Sequence, residues 1–410
     1  MKKLLFLLLL ISANTFAQPL KVLFIGNSYT ASNNLASRFT QLALSKGDTV
    51  RAYSVNPGGY TFQLHTAYAP TLAMIDSMDW DYVILQEQSQ LPSFPPQQVA
   101  TDVYPYARQL DSLILLNNPC TETVFFMTWG RKYGDASNCA FWPPVCTFTG
   151  MQQQLRDSYV AMANDNHALV APVGEAWKRS WFNDSTINLW VSDNSHPDVP
   201  GSYLTACVFY TTIFRKSVAG ASYTAGLTTN IASYLQLIAD TTVFDSLSTW
   251  KIGSYDVQAD FNYVAAGLDL QFNNLSVNGV NYFWDFGDGN TSTDPAPMHN
   301  YSQTGTYPVL LIADDGCSTD SSQQSVTVTA TAVQEADLTS CVSFLGNGAF
   351  RISCSEFRSV KIYDNLGRLI KEPGISGTGV FSLGSEYRGL YTLVFQRNDG
   401  GREILRCAFN

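Results

Sequence analysis

Positive charge is scarce in this chain: 24 Lys and Arg stand against 34 Asp and Glu, a formal net charge of −10. A nucleic-acid partner would need a basic face, so that class of partner is not expected. Long apolar runs are also missing beyond the first residues. No later segment reaches the ~18 apolar residues of a membrane-spanning helix. Neither Cys-x-x-Cys nor His-x-x-x-His spacing occurs, so no zinc site is expected. Disorder is not the default either, because 45% hydrophobic and 13% aromatic residues can fill real cores.

The apolar run that does exist is at the start. Met1-Lys2-Lys3 and the stretch Leu4 to Ile11 form a basic segment followed by an apolar one, and Thr15-Phe16-Ala17 supplies small residues for cleavage after Ala17. Residues 1–17 therefore read as a signal peptide, and no Cys follows to carry a lipid. The mature chain is expected to be soluble and either secreted or on the cell surface. Export permits disulfides among the eight cysteines. Cys139 and Cys146 are the most local candidate pair and Cys207 reads as a buried thiol, but the full connectivity is not given by spacing.

From 20 to about 250, strand patterns at 21–25, 49–55, 81–86, 122–128 and 168–172 alternate with helix patterns. The helices are expected at 33–46, 61–78, 97–117, 150–165, 199–216 and 229–241. Such alternation implies right-handed crossovers and a mostly parallel sheet covered on both faces. The loops after each strand then gather at one sheet edge, where open α/β sheets bind ligands.

Those loops carry the unusual residues. The strand Val22 to Ile25 runs into Gly26-Asn27-Ser28 and then a helix, with Asn33 and Asn34 as possible caps. This sets a hydroxyl beside a helix N-terminus, where N–H groups can stabilise an anion. Taken alone, Ser28 reads more simply as a helix cap. The second loop, Asn56 to Thr61, has the Gly58-Gly59 pair, which is either an ordinary turn or a place where a backbone N–H faces a ligand. The third, Gln86-Glu87-Gln88-Ser89-Gln90, is either solvated or part of the same edge. The fourth runs from Trp129 to about 148 and is long and aromatic, as binding walls often are. Asp193 and His196, three apart before the helix at 199, can sit side by side, the carboxylate holding Nδ1–H and freeing Nε2 to take a proton. An isolated Asp-x-x-His also fits a plain surface loop. Paired with a Gly-x-Ser after the first strand, it points to a nucleophile and its base.

On these residues the stretch 20–245 resembles the SGNH (GDSL-type) hydrolase superfamily. Gly26-Asn27-Ser28 matches its first block, with Asn27 where Asp is usual. Gly59 matches the glycine block, and Asp193 to His196 the terminal block. The third block departs, with Gln88 standing where the family has its oxyanion-hole Asn. The resemblance implies a catalytic Ser28, Asp193 and His196, and an oxyanion hole of Ser28, Gly59 and Gln88. It implies no metal or organic cofactor.

Beyond 255 the pattern changes to short alternating strands. Trp284-Asp285-Phe286-Gly287-Asp288-Gly289, followed by His299-Asn300-Tyr301 and Gly305-Thr306-Tyr307, resembles a PKD repeat, an immunoglobulin-like β-sandwich. Asp285 and Asp288 read as a hairpin turn or a calcium loop, the turn being the simpler. Val360 to Leu369 and Gly389 to Val394 resemble the C-terminal sorting domain of the Bacteroidetes type IX secretion system. A second adhesion module would show the same pattern.

The expected fold is thus α/β, a three-layer parallel-sheet domain followed by two all-β sandwich domains. The expected boundaries are 1–17, 18–250, 255–330 and 338–410. The expected function is a secreted serine esterase that removes acyl groups, O-acetyl above all, from a carbohydrate. Its expected partners are an acylated glycan or other small ester and the type IX secretion machinery. The competing reading is a non-catalytic glycan-binding surface adhesin on the same scaffold.

Overall fold

A computed structural model describes residues 18–329, 341–346, 349–373, 378–382 and 389–409. The signal-peptide segment, most of the linker from 327 to 338 and Asn410 lie outside the described residues. The chain forms two compact units. The first comprises the described residues through Ala259 with 276–281 and 312–321; the second comprises 260–275, 282–311 and the described residues from 322 on.

The first unit is built on five parallel strands: β1 (Leu20–Ile25), β2 (Val50–Val55), β3 (Tyr82–Leu85), β4 (Glu122–Phe126) and β5 (Leu169–Ala171), in the order β2-β1-β3-β4-β5. The central strands are apolar without alternation because both faces are covered. The helices are α1 (Ser28–Ala31), α2 (Leu35–Ser45), α3 (Phe62–His65), α4 (Ala69–Ile75), α5 (Pro96–Asp102), α6 (Tyr104–Asn117), α7 (Phe148–Asp165), α8 (Val173–Asn183), α9 (Val199–Phe214) and α10 (Thr229–Phe244). On one face Phe24 of β1 meets Phe39 of α2 at 5.9 Å and Phe209 of α9 at 5.3 Å, while Phe126 of β4 meets Phe209 at 4.9 Å. On the other, Phe125 meets Phe62 of α3 at 6.3 Å. This is a three-layer arrangement, and each buried Phe contributes about 1.5–3 kcal/mol. Helix α9 is buried from Gly201 to Ile213, and it carries no charged side chain for that reason. Its start is fixed by Asp198, whose carboxylate accepts the Val199 N–H at 2.7 Å.

The differences from the sequence reading have local causes. The helix expected over 61–78 is two helices, because Pro70 has no N–H to continue a ladder and instead opens α4. Pro105 divides 97–117 in the same way, at Val103. Helix α8 follows β5 directly after Pro172 and has no counterpart among the expected helices. Asn33 and Asn34 make no side-chain cap; both adopt left-handed backbone, at φ 54° and 53°. Asn33 instead donates to the Pro197 carbonyl at 3.0 Å and to Ser202 Oγ at 2.9 Å.

The second unit is antiparallel. Strands β6 (Phe261–Ala266), β7 (Asp269–Asn274), β8 (Asn281–Asp285), β9 (Thr291–Ser292), β10 (Met298–Asn300), β11 (Gly305–Asp314) and β12 (Thr319–Val328) form sheets ordered β10-β7-β6 and β12-β11-β8-β9. Trp284 joins them, packing on Phe261 at 5.1 Å and Phe272 at 5.5 Å. Asp285 accepts the Gly287 N–H at 2.9 Å, and Asp288 accepts the Asn290 N–H at 3.0 Å and meets His299 Nε2 at 2.8 Å. Both carboxylates are thus engaged in shaping the turn. Strands β13 (Val342–Gly346), β14 (Ala349–Ile352), β15 (Phe357–Tyr363), β16 (Leu369–Lys371), β17 (Gly379–Ser382), β18 (Gly389–Arg397) and β19 (Arg402–Phe409) make two further sheets, β13-β14-β17 and β16-β15-β18-β19. They share a core of Phe350, Ile352, Phe357, Val360, Leu393 and Phe395.

Disulfides join Cys139 to Cys146, Cys341 to Cys354, and Cys120 to Cys317 of the β11–β12 turn, which belongs to the first unit. Cys207 is a free, buried thiol. Among the described residues no helix is long and apolar enough to cross a membrane.

Candidate active site

β1 ends at Ile25, and only glycine fits next: a Cβ on Gly26 would lie 2.4 Å from Thr30 Oγ1 and 2.7 Å from Gln86 Oε1. Asn27 then turns the chain. Its side-chain oxygen accepts the Tyr29 N–H at 3.2 Å, and its Nδ2 donates to the Tyr60 carbonyl at 2.9 Å. An Asp could make only the first of these bonds, which accounts physically for an amide here. Ser28 follows as the first residue of α1.

Residues 168 positions away complete the arrangement. Ser28 Oγ lies 2.8 Å from His196 Nε2, and His196 Nδ1 lies 2.6 Å from Asp193 Oδ2. The loop winds around this carboxylate, with Asn194 at φ 60° and the N–H groups of Ser195 and His196 both donating to Asp193 Oδ1 at 2.9 Å. Partial burial pushes the Asp193 carboxyl up. The Ser195 N–H, the His196 ring and the His196 N–H outweigh that and hold it below the usual carboxylate range. An ionised carboxylate only accepts, so Nδ1 carries the imidazole proton and Nε2 is free to accept from Ser28. The His196 and Asp193 side chains are 38% and 47% exposed, so the site is open to substrate.

Behind His196 stands an aromatic stack that sequence reasoning missed. Tyr29 stacks on Trp129 with ring centroids 4.8 Å apart, and Trp129 stacks on Trp177 at 3.7 Å. Tyr29 sets its edge to the His196 ring at 5.2 Å and bonds Ser195 Oγ at 2.6 Å, while Trp129 Nε1 donates to the Ser195 carbonyl at 2.9 Å. Burial keeps the Tyr29 hydroxyl protonated above its ordinary range. The signal was the placement of both aromatics at strand ends; nothing in their spacing pairs them.

Gly59 adopts φ 73°, and a Cβ there would meet nothing within 4 Å. Neither its N–H nor that of Ser28 has a hydrogen-bond partner among the described residues. Gln88 is turned into its own loop: Oε1 accepts the N–H groups of Gln90 at 2.8 Å and Leu91 at 3.2 Å, and Nε2 donates to Gln90 Oε1 at 3.2 Å. One amide hydrogen of Gln88 is left. The fourth loop is pinned by the wholly buried Asp135, which takes bonds from Gln90, Asn138 and Arg131. The Cys139–Cys146 disulfide braces it, and Tyr133 and Phe141 stand exposed on it. The group of potential metal ligands Cys341, Cys354 and Glu356 has both thiols consumed in a disulfide.

Glu87, beside Gln88, is fully buried. Burial raises its carboxyl to about 8, with the Gln88 and Phe62 N–H groups pulling the other way. The folded chain therefore keeps, between about 4.5 and 8, a proton that the unfolded chain has released. Stability is lost as pH rises through that window, by ~1.4 kcal/mol for each pH step of one and on the order of several kcal/mol in all. In denaturant melts, the stability advantage of wild type over Glu87→Gln should shrink between pH 5 and 8. A constant difference would contradict it.

Residues 259–330 match the PKD domain family model. A pre-pro-metalloprotease, PrtV of Vibrio cholerae, is 40% identical over 75 residues, 17% of this chain and 8% of that one. Collagenase ColQ1 of Bacillus cereus is 43% identical over 60 residues, 15% of this chain and 6% of the other. The chain thus spans under a tenth of these curated relatives. Among solved structures, a DUF4886 family protein from Bacteroides uniformis aligns with 55% of this chain and 95% of its own, at 17% identity and a TM-score of 0.47. A putative SGNH hydrolase from Slackia heliotrinireducens covers 48% of this chain and 99% of its own, at 24% identity and a TM-score of 0.39. The chain joins a five-stranded parallel α/β domain to antiparallel β-sheet domains that include a PKD domain.

Proposed function

We propose that the first unit is a serine ester hydrolase that removes acyl groups, O-acetyl above all, from a carbohydrate. The observation that carries the reading is the unbroken relay Asp193–His196–Ser28, at 2.6 and 2.8 Å. Ser28 Oγ bonds to the ester carbonyl carbon as its proton passes to His196 Nε2. The carbonyl oxygen becomes an oxyanion facing the N–H groups of Ser28 and Gly59 and the remaining hydrogen of the Gln88 amide. His196 returns the proton to the leaving sugar oxygen as the ester bond breaks. Water then attacks the acyl-Ser28, giving its proton to His196, and the acid leaves as Ser28 is restored. Asp193 holds the imidazole in the required tautomer and offsets its transient charge. The sugar half of the reading draws support from the open site and from the exposed rings of Tyr133 and Phe141 on the adjoining loop, flat surfaces of the kind that pack on sugars.

The test is release of acid from p-nitrophenyl acetate and from a panel of acetylated polysaccharides, with products followed by mass spectrometry. Wild type should release acetate and Ser28→Ala should not. Equal inertness of both across the panel would leave the glycan-binding adhesin.

The third oxyanion donor is tested separately. Gln88→Ala should lower kcat by about 10²–10³ with KM little changed, because the bond forms only as charge develops. A kcat close to wild type would reduce the hole to its two backbone donors. For the C-terminal module the proposal is sorting by the type IX machinery, with removal of roughly the last 75 residues after the Thr/Val/Ala linker. Intact mass of protein from the host surface checks this, and a mature chain ending at Asn410 would refute it.

A further inference from the structure

The run Gln86 to Gln90 leaves β3 and reaches three other loops. Gln86 Oε1 accepts the Asn27 N–H at 3.0 Å, beside the nucleophile. Gln90 Nε2 donates to Asp135 of the fourth loop at 2.6 Å. Between them, the Glu87 carboxyl takes the Phe62 N–H at 3.0 and 3.1 Å and the Gln88 N–H at 2.5 Å.

We infer that Glu87 is a positioning residue for the proposed ester hydrolysis: by bridging the Phe62 and Gln88 N–H groups, it sets where Gly59 and Gln88 lie relative to Ser28. The inference rests on the esterase reading and adds a residue that the family resemblance does not supply. Gly59 is not held by packing, since open space surrounds it on the side-chain side. Its place is fixed by two ties just after it in the chain, the Asn27 bond to the Tyr60 carbonyl and the Glu87 bond to the Phe62 N–H. Glu87 also grips the Gln88 backbone, so one carboxyl touches both of the loops assigned the donors beyond Ser28 itself. The cost of the device argues against a filler role. A fully buried carboxyl is costly even when neutral, and an apolar side chain of similar volume would serve packing better.

The test compares full-length wild type, Glu87→Gln and Glu87→Asp. The Gln variant keeps the Oε1 acceptor that both N–H groups share but sets an NH2 where Oε2 stood, 3.0 Å from the Phe62 N–H; the Asp variant keeps the carboxyl but withdraws it. Both should lose roughly 10- to 100-fold in kcat on p-nitrophenyl acetate, with KM within about twofold, as expected when donors shift by a fraction of an ångström to 1 Å. Hydrogen exchange at Phe62 and Gln88 should quicken in the same variants. Wild-type kcat in both variants would overturn the inference, as would a loss that merely tracks the unfolded fraction in parallel melts. Unchanged exchange at the two amides would overturn it as well. A wild-type chain that cleaves no ester would instead sink the esterase reading, and the exchange arm would still judge the clamp.

Discussion

Ser28→Ala and His196→Ala should each lower kcat on p-nitrophenyl acetate by at least ~10³, and the double variant should fall little further, because the two groups act as one unit. The Oγ of Ser28 is bonded to His196, and removing it opens no cavity in the apolar core. His196 likewise lies on a surface loop, partly exposed. Circular dichroism and melting should therefore match wild type, so the loss reads as chemistry. Additive losses in the double variant would mean that the pair does not share one step.

The second large effect belongs to Asp193. Its carboxylate accepts three N–H groups: two from the loop backbone and one from His196 Nδ1. In Asp193→Asn the amide oxygen keeps the backbone pair and its NH2 faces Nδ1. The imidazole must then accept at Nδ1 and carry its proton on Nε2, pointing at the hydroxyl it should deprotonate. A loss of about 10³–10⁴ in kcat is expected from the wrong tautomer alone. Pre-steady-state acylation and kcat should fall together, with KM nearly unchanged. A variant within tenfold of wild type would show that the loop backbone, not the carboxylate, orients His196.

How much of this could be read from the sequence depended on distance along the chain. Asp193 and His196 are three apart in one loop, so their contact follows from local geometry. The parallel sheet was legible because its central strands carry short apolar runs between helical periods. Helix ends were less so, since Pro70 and Pro105 sit inside otherwise continuous patterns. The long-range pairings were not legible at all. Nothing in the order of residues joins Cys120 to Cys317, or sets Tyr29 between Trp129 and His196. For the polar run Gln86 to Gln90 the sequence leaves two readings open, a solvated loop or part of the ligand edge. Its side chains are spent on the backbone and carboxyl groups of neighbouring loops, leaving Gln86 and Glu87 wholly buried, a long-range arrangement that no local pattern shows.

The central claim is that Ser28 attacks an acyl carbon, activated by His196. Labelling with a fluorophosphonate, which is attacked as an ester is and leaves a stable adduct, followed by peptide mass mapping, addresses it most directly. The account predicts a single adduct on the peptide carrying Ser28, absent in Ser28→Ala and formed far more slowly in His196→Ala. An adduct on any other residue, or ester hydrolysis that persists in Ser28→Ala without one, would contradict it.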